Sequence, residues 1–255
     1  MKLNWTVLLL VPFLLTAESK FVGNSDLNRF DQEALTFSLS FRGVAAARAR
    51  MRCETLAEQL WRIQVDTDTK FWADLVFPVC NRYITLIDQP SGRVVQIDKK
   101  IKQKNLNQEM AVFYDYAAAR AHASHGFDWE IGDELQTLFS LLYQLRGMDP
   151  APLDSLHCLL EIESQLWAVR GRVEIGDPVE GSFSDLPVRS IVLDFVPQRP
   201  LKPREWKTDL LTNRFGRQGQ LILKMGPAPE NLPLWMQIGG GTNPVSMKLL
   251  SRKKG

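Results

Sequence analysis

Hydrophobic and polar residues alternate with a period of two along most of this chain. The clearest instance is Leu35 to Glu54. Leu35, Phe37, Leu39 and Phe41 alternate with Thr36, Ser38 and Ser40; then Ala45, Ala47, Ala49, Met51 and Cys53 alternate with Arg48, Arg50 and Arg52. Successive side chains of a strand point to opposite faces, so both halves are expected to be strands, dry on one side and wet on the other. Arg42-Gly43-Val44 between them suits a hairpin, with Gly43 free to take positive φ. Burying each of the four large residues of the first strand stabilises by about 1.5–3 kcal/mol. A slip of one residue would expose them and turn three arginines inward, which specifies the register.

Alternation resumes at Leu60 to Thr69, with Trp61, Ile63 and Val65 on one face and Arg62, Gln64 and Asp66 on the other. Lys70 to Val79 breaks it. That run is dense in large apolar groups, ends at Pro78, and reads as a short helical or irregular crossing. Further strands are expected over 80–87, 93–102, 109–116, 156–162, 166–175, 186–196, 220–225, 232–238 and 245–250, separated by Gly-, Pro- or Asn-rich turns. Residues 117–125 are ambiguous between helix and strand.

One helix is expected near 133–146, where Leu135, Leu138, Leu142 and Leu145 recur at three- and four-residue spacing, Asp133 suits the N-cap and Gly147 the stop. About eleven strands and one helix make an antiparallel meander rather than a βαβ series. A sheet that long accumulates twist and should curl. The expected fold is therefore mainly β: a barrel or half-barrel with the 133–146 helix packed against it, forming a single domain over 33–252.

The first residues change the picture from fold to compartment. Lys2 precedes an apolar run, Trp5 to Leu15, and Thr16-Ala17 offers a small residue before polar Glu18-Ser19-Lys20. The run is shorter than the roughly 20 residues of a membrane span and has the layout of a secretory signal, expected over 1–17, with an uncleaved anchor as the rival. A polar, flexible lead-in is expected over 18–32. Exported in this way, the mature protein belongs in the periplasm, with no later transmembrane segment. Of the 255 residues, 45% are hydrophobic and 24% charged, which excludes a largely disordered chain. A net charge of +2 argues against nucleic acid as a partner. Cys53, Cys80 and Cys158 allow one disulfide and one leftover thiol, and all three read as small buried hydrophobes.

The order of several motifs resembles a known family. These are the Gly-centred strand pair, WRIQVDTDTKFWADLVFPVCNRYITLID, FYDYAAARA, GDELQTLFSLLYQLRG and a closing LPLWMQI followed by VSMKLL. Together, over residues 33–250, they resemble the bacterial envelope family catalogued as domain of unknown function 3108. The resemblance implies an exported, curled antiparallel sheet without established enzymatic activity. Where that family usually carries an Arg-Asp-Arg-like run, this chain has Cys80-Asn81-Arg82, so only Arg82 can inherit a ligand or partner role from it.

Candidate chemistry is sparse. His122 and His125 reach one metal only on a helix, and His157-Cys158 lacks a second ligand pair, so no metal or cofactor is expected. Glu161 and Glu163 share a strand face and read as its wet side. No nucleophile elbow or phosphate loop is present, and no catalytic residue is assigned. Phe71, Trp72 and Phe77, with Leu75 and Val76, form the densest apolar cluster outside a regular element. They either plug the sheet's concavity or line the mouth of a pocket there, with Trp61 and Arg82 as further lining. Arg48, Arg50 and Arg52 form a basic strand face that suits an anionic or protein partner. The expected function is a non-catalytic envelope protein holding an amphipathic, lipid-like or glycan-like ligand in the concave sheet. The alternative is an envelope scaffold binding a protein partner through the basic face or a sheet edge. A hydrolase of envelope polymers would need two groups converging in a cleft.

Overall fold

A computed structural model of the chain describes residues 28–56, 59–133, 135–148, 157–162, 164–176, 179, 188–198, 219–239 and 244–255. The expected leader and most of the lead-in lie outside them. The first half is a meander of β1 (Glu33–Phe41), β2 (Val44–Leu56), β3 (Leu60–Thr69), β4 (Val79–Asp88), β5 (Val94–Gln103), β6 (Leu106–Asp115), β7 (Arg120–Ala123) and β8 (Asp128–Glu130). A four-residue helix, α1 (Phe71–Asp74), joins β3 to β4. Then come β9 (Leu135–Gln136), the main helix α2 (Leu138–Gly147), β10 (His157–Ile162), β11 (Gln165–Gly176), β12 (Val188–Pro197), β13 (Gln220–Met225), β14 (Pro233–Ile238) and β15 (Val245–Lys254).

Among the described residues, the fifteen strands belong to one sheet, in the order β8-β7-β6-β5-β4-β3-β2-β1-β15-β14-β13-β12-β11-β10-β9. Two meanders thus run outward from a seam where β1 pairs antiparallel with β15. The sheet's two edges, β8 and β9, are neighbours in sequence but do not pair with each other. Instead the sheet curls. Tyr114 on β6 donates a buried 2.8 Å hydrogen bond to Glu161 on β10. Eleven places separate those strands in the sheet order, and in a flat sheet they would lie about 50 Å apart.

The hairpin that opens the fold forms as its pattern dictates. Arg42 (φ 52°) and Gly43 (φ 79°) make a two-residue turn with positive φ at both positions, the geometry that matches strand twist. Ala47, Ala49, Met51 and Cys53 are buried, and Arg48, Arg50 and Arg52 are exposed. On β1, Leu35 and Phe37 are fully buried, Leu39 is half-buried, and Phe41 at the strand end is exposed. Burial of the first strand is therefore less complete than its pattern suggests, because its last residue reaches the rim of the curl.

The helix begins later than its leucine spacing implies. Leu135 and Gln136 pair in parallel with β10, and Thr137 is the N-cap, in a capping box with Ser140. None of the residues from Leu138 to Gly147 is exposed. The leucine stripe implies a helix packed against the sheet on one side; this one is enclosed by the sheet. Tyr83 of β4 packs at a tilt against Phe139, ring centroids 5.6 Å apart, and at the other end Arg146 is fully buried. The guanidinium of Arg146 makes a bidentate pair with Glu33, at 2.5 and 3.0 Å, and lies 4.1 Å over the Phe30 ring. Its carbonyl accepts from Asn231 at 2.8 Å and also from Arg29. Arg252 donates to Glu33 at 2.8 Å and also binds Glu230. The end of the expected lead-in is therefore anchored, with Phe30 buried edge-on against Tyr143 at 5.5 Å.

Removing one member of a fully buried ion pair leaves the other charge uncompensated. Arg146→Met is expected to lower unfolding stability by about 3–5 kcal/mol in urea titrations. Arg50→Ala on the outer face should change it by less than about 0.5 kcal/mol.

Candidate functional site

The most unusual surface lies at the end of the curl that carries the β1–β2 turn, α1 and the β5–β6 turn. Backbone bonds build a rigid projection there. Lys70 N–H donates to the Ala46 carbonyl at 2.8 Å, tying the start of α1 to β2. Ala73 and Asp74 N–H donate to the Lys70 carbonyl, and Val76 and Phe77 N–H donate to the Ala73 carbonyl. The Thr69 hydroxyl accepts from Val79 N–H at 3.0 Å and donates to Asp74. Lys104 Nζ reaches the Val76 carbonyl at 3.2 Å from the β5–β6 turn.

Only Ala73 of α1 is buried. Phe71 is 85% exposed, Leu75 79%, Val76 67% and Trp72 48%. Phe41 and Val44, beside the β1–β2 turn, are exposed as well. These residues therefore do not plug the concavity; they stand exposed at its rim. Phe77 is half-buried. Leaving a large apolar side chain in water forgoes about 1.5–3 kcal/mol of burial, so a cluster of four to six on one rim marks an interaction surface.

The other candidate residues do not join this cluster. Trp61 is buried in the core near the opposite end of β3, where it pairs with Ile87. Trp167 is buried too, and Trp235 is half-buried beneath Lys224. Arg82 lies on the outer face, its Nε 2.6 Å from Asp66. The Arg48, Arg50 and Arg52 face is exposed as expected, but β3 interleaves it with acids. Arg48 stands opposite Asp68 and Arg50 opposite Asp66, and Asp66 also takes Arg52 at 3.5 Å and Gln64 at 2.7 Å. The face is thus a mixed-charge lattice rather than a uniform basic stripe.

Inside the curl, α2 and the core side chains occupy the interior among the described residues. Glu161, expected on a wet face, is buried and accepts from Tyr114 at 2.8 Å and from Ser164 N–H at 2.5 Å. Alternation fails there because β10 has α2 and the far end of the sheet against it. Glu163 lies outside the described residues. His122 bonds Asp128 at 2.9 Å at the surface, and His125 lies 3.3 Å from the Ser124 hydroxyl. Among the described residues no three His, Cys, Asp or Glu side chains gather as metal ligands. No helix there is long and apolar enough to cross a membrane.

Sequence reasoning missed Phe41 and Val44 as members of the rim. Their signal is position alone: both flank the Arg42-Gly43 turn, where alternation no longer reports burial.

Cys53 and Cys158 are buried, whereas Cys80 is exposed, against the expectation that all three are buried. It sits on the outer face of β4, opposite Asp68. Burial and the nearby Glu33 carboxylate push the Cys53 thiol from 9.0 up to about 12. Burial raises Tyr143 well above its ordinary value, and burial together with the Glu161 carboxylate does the same for Tyr114.

The molecule is thus a large, curled, unclosed sheet, antiparallel but for the β9–β10 edge pair, wrapped round a central helix, of β-barrel-like class. Among solved structures it is similar to a β-barrel-like protein of domain of unknown function 1849 from Brucella abortus. The two share 11% identity at a TM-score of 0.53, over 88% of this chain and 97% of that one. At that identity the likeness concerns the fold. No family model matches the sequence, and no curated protein does.

Two outcomes follow from the buried groups. A thiol reagent should modify one cysteine in the folded protein, Cys80, and three after denaturation, read by intact mass; rapid native labelling of Cys53 or Cys158 would contradict the packing. Below pH 9 the buried thiol and phenols are protonated whether the chain is folded or not. Above the ordinary thiol value of 9.0 the unfolded chain loses protons that the folded one keeps to about 12, so stability falls as pH rises through that window. Cys53 alone contributes a loss on the order of 1 kcal/mol per pH unit once the pH is above 9. Urea midpoints at about pH 8 and about pH 10.5 measure it, and Cys53→Ala should flatten the slope.

Proposed function

We propose that the protein is a non-catalytic component of the bacterial periplasm that binds and carries an amphipathic, lipid-like ligand at the α1 rim. One observation carries this reading: Phe71, Leu75 and Val76, the most exposed large apolar residues among those described, stand together with Trp72 in solvent on a braced projection. The concave interior, the place expected for a ligand, is occupied by α2 and the core, which moves the reading to the rim. The large aliphatic groups Leu75 and Val76 beside the two aromatic ones favour an acyl chain over a glycan. The leader-like first 17 residues support the compartment.

Native mass spectrometry of the protein purified from its own envelope fraction tests the reading. The expected spectrum shows a noncovalent amphiphile that is lost from Phe71→Ser/Trp72→Ser, with thermal stability retained because both residues are exposed. Wild-type protein free of any lipid, or a lipid retained equally by the double variant, would overturn it.

A further inference from the structure

We infer that the α1 rim docks the protein onto the surface of an anionic lipid bilayer, with Phe71, Trp72, Leu75 and Val76 entering the headgroup–acyl boundary. The inference deepens the ligand reading above, since it uses the same rim, and names where the ligand would be collected or delivered.

Three observations select a bilayer. First, the surface projects. The apolar groups sit on a helical turn and beside the neighbouring β1–β2 turn, and Phe71, Leu75 and Val76 are more than two thirds exposed. Secondly, the backbone there is satisfied internally. The amides of Ala73, Asp74, Val76 and Phe77 all donate to carbonyls of the same turn, which lowers the number of donors that the tip would take out of water unpaired. Thirdly, cations ring the apolar tip. Lys70 precedes α1, Lys104 reaches over to the Val76 carbonyl, and Arg42 lies 5.5 Å from the Phe41 ring centroid in the adjoining turn. The acid within the same segments is Asp74, and the Thr69 hydroxyl binds it. Trp and Phe at an interface, with Lys and Arg at the depth of the phosphates, form the pattern by which a monotopic surface holds to anionic lipid.

Vesicle partitioning tests this with the protein as purified from the envelope. Wild type and variants share one amino terminus, so any contribution from the leader cancels. The probes are vesicles of phosphatidylcholine alone and of phosphatidylcholine with about one third phosphatidylglycerol. The expected result is binding to the anionic vesicles, reduced by a factor of roughly ten or more in Phe71→Ser/Leu75→Ser. Lys70→Gln/Lys104→Gln should reduce it by roughly fivefold per charge on anionic vesicles only. Trp72→Phe should keep partitioning while losing fluorescence quenching by brominated acyl chains, a readout that a merely structural residue would not change. Equal partitioning of wild type and Phe71→Ser/Leu75→Ser, or folded wild type that leaves both vesicle types unbound, would overturn the docking. A protein that co-purifies with lipid yet ignores vesicles refutes docking alone. One that partitions as described but carries no lipid refutes only the carrier reading.

Discussion

Everything in this fold is arranged around the buried pair of Arg146 and Glu33. Glu33 opens β1 and Arg252 lies near the end of β15, so both stand on the seam from which the two meanders diverge. Arg146 closes the helix that starts beside the sheet's far edge, at β9. The helix therefore crosses the interior from the free edge back to the seam, and the ion pair fixes where it stops. Burying two charges is unfavourable by several kcal/mol for each ion, and a guanidinium–carboxylate fork recovers it only with good geometry and further bonds. Here the fork is bidentate, the ring faces of Phe30 and Tyr143 cover the cation, and Arg252 shares the carboxylate. An arginine in the last helical turn also meets the negative end of the helix dipole. The arrangement specifies one position of the helix within the curl; an apolar contact would tolerate sliding.

The filled interior decides where interaction can take place. A curled sheet with an empty lumen would offer its concavity to a ligand. This one gives that space to Leu141, Leu142, Tyr143 and Leu145, and its outer face carries interleaved charges. What remains is the rim, where α1 holds a cluster of large apolar groups away from both. Backbone bonds, Thr69 and Lys104 hold it in place.

The limits of pattern reading are visible at particular residues. Leucine spacing from Leu135 to Leu145 marked a helix, but Leu135 is a strand residue; Thr137 and Ser140 set the true start through their reciprocal cap. Glu161 followed the wet face by alternation, yet Tyr114 from a strand eleven places away in the sheet covers it. Cys80 sat among strand residues and was read as buried, but it belongs to the outer set with Arg82. The FWADLV run was singled out by composition, and its role as a solvent-facing projection was not legible.

By itself the sequence determined the mainly β architecture, the turns, the strand faces of the first hairpin and the existence of one helix. These depend on period-two and period-3.6 patterning and on turn residues, interactions between near neighbours in the chain. Only the tertiary structure decided that β1 pairs with β15, that the helix lies within the curl, that Arg146 meets Glu33, and that the apolar crossing faces outward. Each of those depends on which distant segments meet, and 113 residues separate Glu33 from Arg146. Local periodicity carries no information about contacts at that range, because the twist of the whole sheet brings them together.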